Sequence, residues 1–72
     1  MRTVDEILEQ VYGSGAEAAS ALGVLKTAPY NWKKWGHFPA RIAIQIFMEA
    51  KRKRIALSLA EIPTLENKAA AS

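Results

Sequence analysis

Apolar residues recur with helical spacing at the start of the chain. The first stripe falls on one helical face and consists of Val4, Ile7, Leu8 and Val11. Thr3 and Glu6 have the spacing of a capping box, in which each residue satisfies a backbone N–H of the other. Gly13-Ser14-Gly15 then interrupts the pattern. The sequence therefore predicts a first helix from Val4 to Tyr12.

Two shorter helices are predicted on either side of Gly23. The segment from Ala16 to Leu22 is rich in alanine, and a glycine directly after a helix favours a left-handed turn. Pro29 is compatible with a helix only in its first turn, because its ring removes a hydrogen bond further in. This places the N-cap at Thr27 and predicts a helix from Ala28 to Trp35, ending at Gly36.

A fourth helix is predicted to start at Pro39. Its inner stripe contains Ile42, Ile46, Phe47 and Ala50, and Ile44 and Met48 are expected to extend the same apolar arc. The basic run 51–54 suits the negative end of the helix dipole, and it either is simply solvated or contacts a nucleic-acid backbone. Ser58 and Glu61 form a second capping-box pattern, which predicts a short fifth turn.

These elements predict an all-α fold, a small bundle of four to five helices. The domain is expected over residues 1–62, with a flexible tail over 63–72. The 72 residues contain no cysteine and one histidine, which leaves little from which to build a catalytic set. We therefore expect no enzyme activity, no cofactor, no metal ion and no small-molecule ligand. No apolar run is long enough for a membrane span, and the predicted location is the cytoplasm of a bacterium or phage-infected host, with the nucleoid.

Charge is distributed unevenly along the chain. The formal net charge is +3, and eight of the ten basic residues lie between Lys26 and Arg54. Four of the seven acidic residues lie in the first seventeen positions. This asymmetry predicts one face that a polyanion could approach.

The spacing of small residues and tryptophan predicts a helix-turn-helix motif over about residues 15–36. Ala19 suits a helix crossing, Gly23 a sharp turn, and Trp32 an anchor for the back of the second helix. Together with Asn31-Trp32-Lys33 and the helix that opens at Pro39, the segment resembles the all-helical Cro repressors of lambdoid phages and the Cro-like YdaS-type antitoxins. The resemblance covers roughly Gly15 to Met48. It implies a lambda-repressor-like fold and a homodimer on a palindromic operator.

The sequence departs from this family at two positions. Leu25 stands where members usually have serine or threonine, and Pro29 stands where they have valine or isoleucine. The recognition helix is therefore expected to begin two residues late. Base contacts are predicted from Lys26, Thr27, Ala28, Tyr30, Asn31 and Lys34, since asparagine can pair with adenine in the major groove. Phosphate contacts are predicted from Ser14, Lys33, His37 and Arg41.

The expected function is sequence-specific regulation of transcription, by a repressor that binds double-stranded DNA. A dimer is expected because one motif reads only a few base pairs. The exposed end of the fourth helix and apolar residues beyond the motif are predicted to form its interface, and those residues are Ile55, Leu57, Leu59 and Ile62. The alternative is a protein-interaction module, such as an antitoxin or adaptor that docks a partner through this apolar C-terminal segment.

Overall fold

The computed structural model describes residues 2–67, which fold as four α-helices and one 3-10 turn. The helices are α1 (Val4–Tyr12), α2 (Gly15–Leu22), α3 (Ala28–Trp35) and α4 (Ala40–Arg52), and the 3-10 turn is Leu59–Glu61. Residues 65–67 are also helical, and no strand occurs within residues 2–67. The predicted all-α bundle is confirmed. None of the helices in this part of the chain is long and apolar enough to cross a membrane.

Side-chain caps fix where α1 and α2 begin. The Thr3 hydroxyl accepts a hydrogen bond from the Glu6 N–H at 3.2 Å, and the Glu6 carboxylate accepts one from the Thr3 N–H at 3.2 Å. The Ser14 hydroxyl accepts from the Glu17 N–H at 3.1 Å. These bonds satisfy N–H groups that have no acceptor inside the helix, so each cap sets its helix start.

Left-handed residues end the helices. Gly23 follows α2 with a φ of 70°, where a residue without a Cβ is not strained. After α4 the same role falls to Arg54, whose φ is 60°. The Ile55 N–H then reaches back to the Ala50 carbonyl at 2.8 Å, as in a Schellman motif. An arginine therefore holds a conformation that costs an L-residue energy.

The core lies between α1, α3 and α4 and is closed by the segment after α4. Its largest fully buried side chains are Phe38, Ile7, Leu8, Ile46 and Ile62. The rings of Trp32 and Phe38 pack with their centroids 5.4 Å apart and their planes at 59°. A tilted pair of this kind adds to the stabilisation from burial alone.

The packed part of the chain extends beyond Ile62, the predicted domain boundary. The Phe38 N–H donates to the Pro63 carbonyl at 2.8 Å, and the Asn67 amide donates to the Ile62 carbonyl at 2.7 Å. The N-terminus joins the same region, because Arg2 pairs with Glu61 at 3.0 Å. The remainder of the predicted tail, 68–72, lies outside the described residues.

Two residues predicted for a dimer interface belong to the core of a single chain. Ile62 is fully buried and Leu57 is 7% exposed, and Ile55 is half-buried against the same cluster. Only Leu59 remains exposed. The prediction was wrong for Leu57 and Ile62, because the chain after α4 folds back and covers the core of the bundle.

Candidate nucleic-acid interface

Helices α2 and α3 are neighbours joined by the five residues 23–27. Ala19 is buried, and its carbonyl accepts the Val24 N–H at 3.0 Å just after the left-handed Gly23. Val24 packs against the core below the turn. Ala19 and Gly23 occupy the places that the helix-turn-helix spacing predicts for them.

The inner side of α3 is held by two rigid side chains. Trp32 is 3% exposed, and the Pro29 ring is also buried. Ala28 packs against the core on the same side. Ala28 is therefore withdrawn from the predicted base-contacting set, because its methyl group faces the protein interior.

The outer side of α3 carries polar groups without protein partners. Tyr30 is 67% exposed, and Thr27 and Lys34 are exposed on the same side. Asn31 is half-buried at the edge. No hydrogen bond joins the side chains of Thr27, Tyr30 or Asn31 to another residue within 2–67. Their hydrogen-bonding groups are therefore available to an external ligand.

The free hydroxyl of Thr27 follows from the way α3 begins. Thr27 is the N-cap, as predicted, but it has αR dihedral angles and its side chain makes no cap bond. Thr3 and Ser14 are extended and accept from the third N–H of their helices, whereas a cap residue in the αR region does not aim its hydroxyl at that group, and the second residue of α3, Pro29, has no N–H. The Ala28 N–H instead donates to the Leu25 carbonyl at 3.0 Å in a preceding turn.

Three cations around α3 have no acidic partner. No salt bridge joins Lys26, Lys34 or Arg41 to a carboxylate within residues 2–67. All three are exposed, on the turn before α3, on α3 itself and at the start of α4. These three residues therefore present positive charge that the protein does not neutralise.

The four predicted phosphate contacts have different surroundings. Arg41 is exposed and unpaired, and Ser14 is half-buried as the cap of α2. The Lys33 ammonium lies 2.9 Å from the Asp5 carboxylate. His37 stacks on Trp35 with centroids 5.9 Å apart, and its Nδ1 is buried without a hydrogen-bond partner. Only Nε2 of His37 remains as a candidate contact, because Nδ1 is inaccessible.

The basic run 51–54 is largely engaged by its own chain. Arg52 donates to Glu49 at 2.7 and 2.8 Å. Lys53 donates to the Val11 carbonyl at 2.5 Å and lies 5.2 Å from the centre of the Tyr12 ring. The positive charge of Lys53 thus lies at the C-terminal end of α1, where it interacts favourably with the helix dipole. Of these two residues, Lys53 holds the end of α4 against α1, whereas the Arg52 pair lies within α4.

The outer face of α4 carries two apolar residues that were expected to extend the apolar arc of its inner stripe. Ile44 is 52% exposed and Met48 is 64% exposed. Met48 also lines an open groove of about 550 Å³ between α2 and α4. The inner-arc prediction was wrong because residue 44 is turned by about 200° from Ile42 on a helix of about 100° per residue. The two-residue spacing from Ile42 could have predicted from the sequence that Ile44 is exposed.

Comparison with protein-family models, with curated proteins and with solved structures gave no match to this chain.

Proposed function

We propose that this protein is a sequence-specific DNA-binding regulator of transcription that inserts α3 into the major groove. The single observation that carries the proposal is the outer side of α3. It combines unbonded side chains with cations that have no acidic partner, on a helix fixed from behind by Pro29 and Trp32. Bases are read by short polar side chains on a rigid element, and phosphates by cations beside it.

Each part of this surface has a role in the proposal. Tyr30, Asn31 and Thr27 contact base edges, and the amide of Asn31 is suited to pair with adenine. Lys26, Lys34 and Arg41 contact phosphates or guanine, which fixes the register on the duplex. The protein acts as a repressor by occluding a promoter.

The proposed active form is a homodimer on a palindromic site. Its two-fold axis passes between two half-sites, so the interface must lie beside the DNA-contacting surface. On α4, the exposed Arg41 is followed on the same face by Ile44 and Met48. We place the interface on these two residues. The same exposed apolar pair is the docking surface in the alternative function, an antitoxin or adaptor that binds another protein.

Selection of bound sequences from random duplex DNA tests the proposal. A palindromic consensus is the expected result, and recovery of random sequences contradicts specific readout. Tyr30→Phe and Asn31→Ala should then weaken binding to the selected duplex, by about 1–3 kcal/mol for a lost bidentate base contact. Ser20→Ala, at an exposed uncharged residue of α2, is the matched surface control.

The dependence of binding on salt gives an independent measurement. With about 4 phosphate contacts per subunit, the logarithm of the binding constant of a dimer should fall with log salt at a slope of about −7. Ile44→Gln and Met48→Gln together should leave one subunit folded and make binding to a palindrome non-cooperative. Retained dimerisation of this double variant would contradict the interface on α4.

A further inference from the structure

Lys33 lies at the border between α3 and the first turn of α2. It follows Pro29 by four residues on α3, and the Pro29 ring touches the start of α2. A Cβ placed on Gly15 would lie 3.8 Å from the Lys33 ammonium. The ammonium is therefore beside the first residue of α2.

The first turn of α2 offers further donors at this position. The Ser14 hydroxyl accepts the Glu17 N–H, and its own hydrogen remains available. The N–H groups of Gly15 and Ala16 donate to no carbonyl or side chain within residues 2–67. With the Lys33 ammonium beside Gly15, these donors belong to a part of the surface that suits an anion.

One anion already binds the ammonium. The Asp5 carboxylate lies 2.9 Å from Lys33 Nζ. The two side chains are 64% and 43% exposed, respectively, so water and salt reach both of them. A pair this exposed contributes little to stability and can be exchanged for another anion.

We propose that Asp5 occupies, in the free protein, the position of a DNA phosphate at Lys33, and so lowers the affinity for DNA. This inference rests on the proposed function, because it assigns a role to Asp5 in the same DNA-binding surface. On binding, Lys33 exchanges the Asp5 carboxylate for a phosphate oxygen. Asp5 is thus an internal competitor that sets the affinity of a sequence-independent contact.

Asp5→Asn removes the competitor and keeps the size of the side chain. Its binding to a labelled random-sequence duplex should be about fivefold tighter than that of the unchanged protein at low salt, and the gain should shrink as salt increases. A random duplex suffices because phosphate contacts carry no sequence information. Binding is measured by fluorescence anisotropy.

Glu9→Gln is the matched control. Glu9 is exposed one turn along α1, and its carboxylate forms no salt bridge within residues 2–67. This variant changes the net charge by the same amount without touching Lys33. An equal gain in both variants would overturn the inference, because it would show a general effect of charge.

The double variant Asp5→Asn/Lys33→Met tests the link between the two residues. If Asp5 acts through Lys33, the gain from Asp5→Asn disappears when Lys33 is methionine. A gain of the same size in both backgrounds would overturn the inference.

The two proposals fail in different ways. If no consensus emerges from selection but the coupling between Asp5 and Lys33 is measured, specific readout fails and the phosphate exchange holds. If a consensus emerges without the coupling, only the exchange fails. Absence of any duplex binding by the unchanged protein would overturn both.

Discussion

The Pro29 ring faces Gly15 where α2 approaches the start of α3. A Cβ built on Gly15 would lie 3.4 Å from the Cβ of Pro29. The proline that departs from the family pattern is therefore a packing residue as well as a helix start. A β-carbon at position 15 would be in ordinary van der Waals contact with this ring.

Two substitutions at Gly15 should show how large a side chain fits between α2 and α3 at this point. Gly15→Ala adds one carbon at ordinary contact distance and improves helix propensity, so the free energy of unfolding should stay equal or rise. Gly15→Val adds branches toward Pro29 and Lys33, which should destabilise the fold by about 1–3 kcal/mol. Urea unfolding measures both variants. Equal stability of the two would show that the helices can separate at this point.

Ile62→Ala should destabilise the single chain. Ile62 is fully buried, and removing a buried isoleucine side chain costs about 2–5 kcal/mol. Leu59→Ala is the control on the same turn, since Leu59 is 45% exposed. Thermal unfolding over a range of protein concentrations is the measurement. If Ile62→Ala changed only the association of subunits and left a monomer equally stable, its place in the core would be contradicted.

Arg54→Gly should stabilise the protein. Arg54 has a φ of 60°, and the left-handed conformation costs an L-residue roughly 1 kcal/mol that glycine does not incur. Arg54→Ala removes the same charge but keeps the strained backbone, so its free energy of unfolding should change little. A similar gain in both variants would trace the effect to charge and not to backbone strain.

The stability of the fold should decrease in acid. Hydrogen bonding with the Thr3 side chain, and next with the Thr3 backbone N–H, lowers the pKa of Glu6 below its ordinary value of 4.5. The bonds from Arg52 lower the pKa of Glu49, and the backbone N–H of Ser58 lowers that of Glu61. The folded state therefore binds protons more weakly than the unfolded chain.

Protonation of these carboxylates destabilises the folded state relative to the unfolded chain. The contribution of these carboxylates is fully present above pH 4.5 and is lost as the pH falls through the lowered values. The urea concentration at the midpoint of unfolding should therefore decrease when the pH is below 4.5. Glu6→Gln retains an acceptor for the cap and should show a shallower loss than the unchanged protein, with Glu9→Gln as the control. An unchanged midpoint down to about pH 3 would contradict the role of these bonds.

Local chemistry was sufficient to predict α1 to α4, although not the helical residues 65–67, which were expected in a flexible tail. The cap bonds of Thr3 and Ser14, the left-handed Gly23 and the position of Pro29 are rules of the backbone that act within a few residues. For that reason α1 and α3 were predicted with the bounds that the structure has, and α2 and α4 within two residues at either end.

The segment after α4 and the electrostatic partners could not be predicted in this way. Leu57 and Ile62 contact residues far away in sequence, and an apolar residue in a short tail suits either a core or an interface. The pairing of Asp5 with Lys33 joins α1 to α3 across 28 positions of chain and depends on how the helices pack. Periodicity contains no information about such contacts.

Pro29 also links folding to recognition at one end of α3. The Thr27 hydroxyl makes no cap bond, because its backbone is αR and Pro29, the second residue of the helix, offers no N–H. A chain with an extended residue at position 27 and an N–H at position 29 would gain a better-capped helix and would tie up that hydroxyl. A stable start of α3 and a free hydroxyl on Thr27 therefore exclude each other. Selection for a more stable domain would make this end of the helix less able to bind.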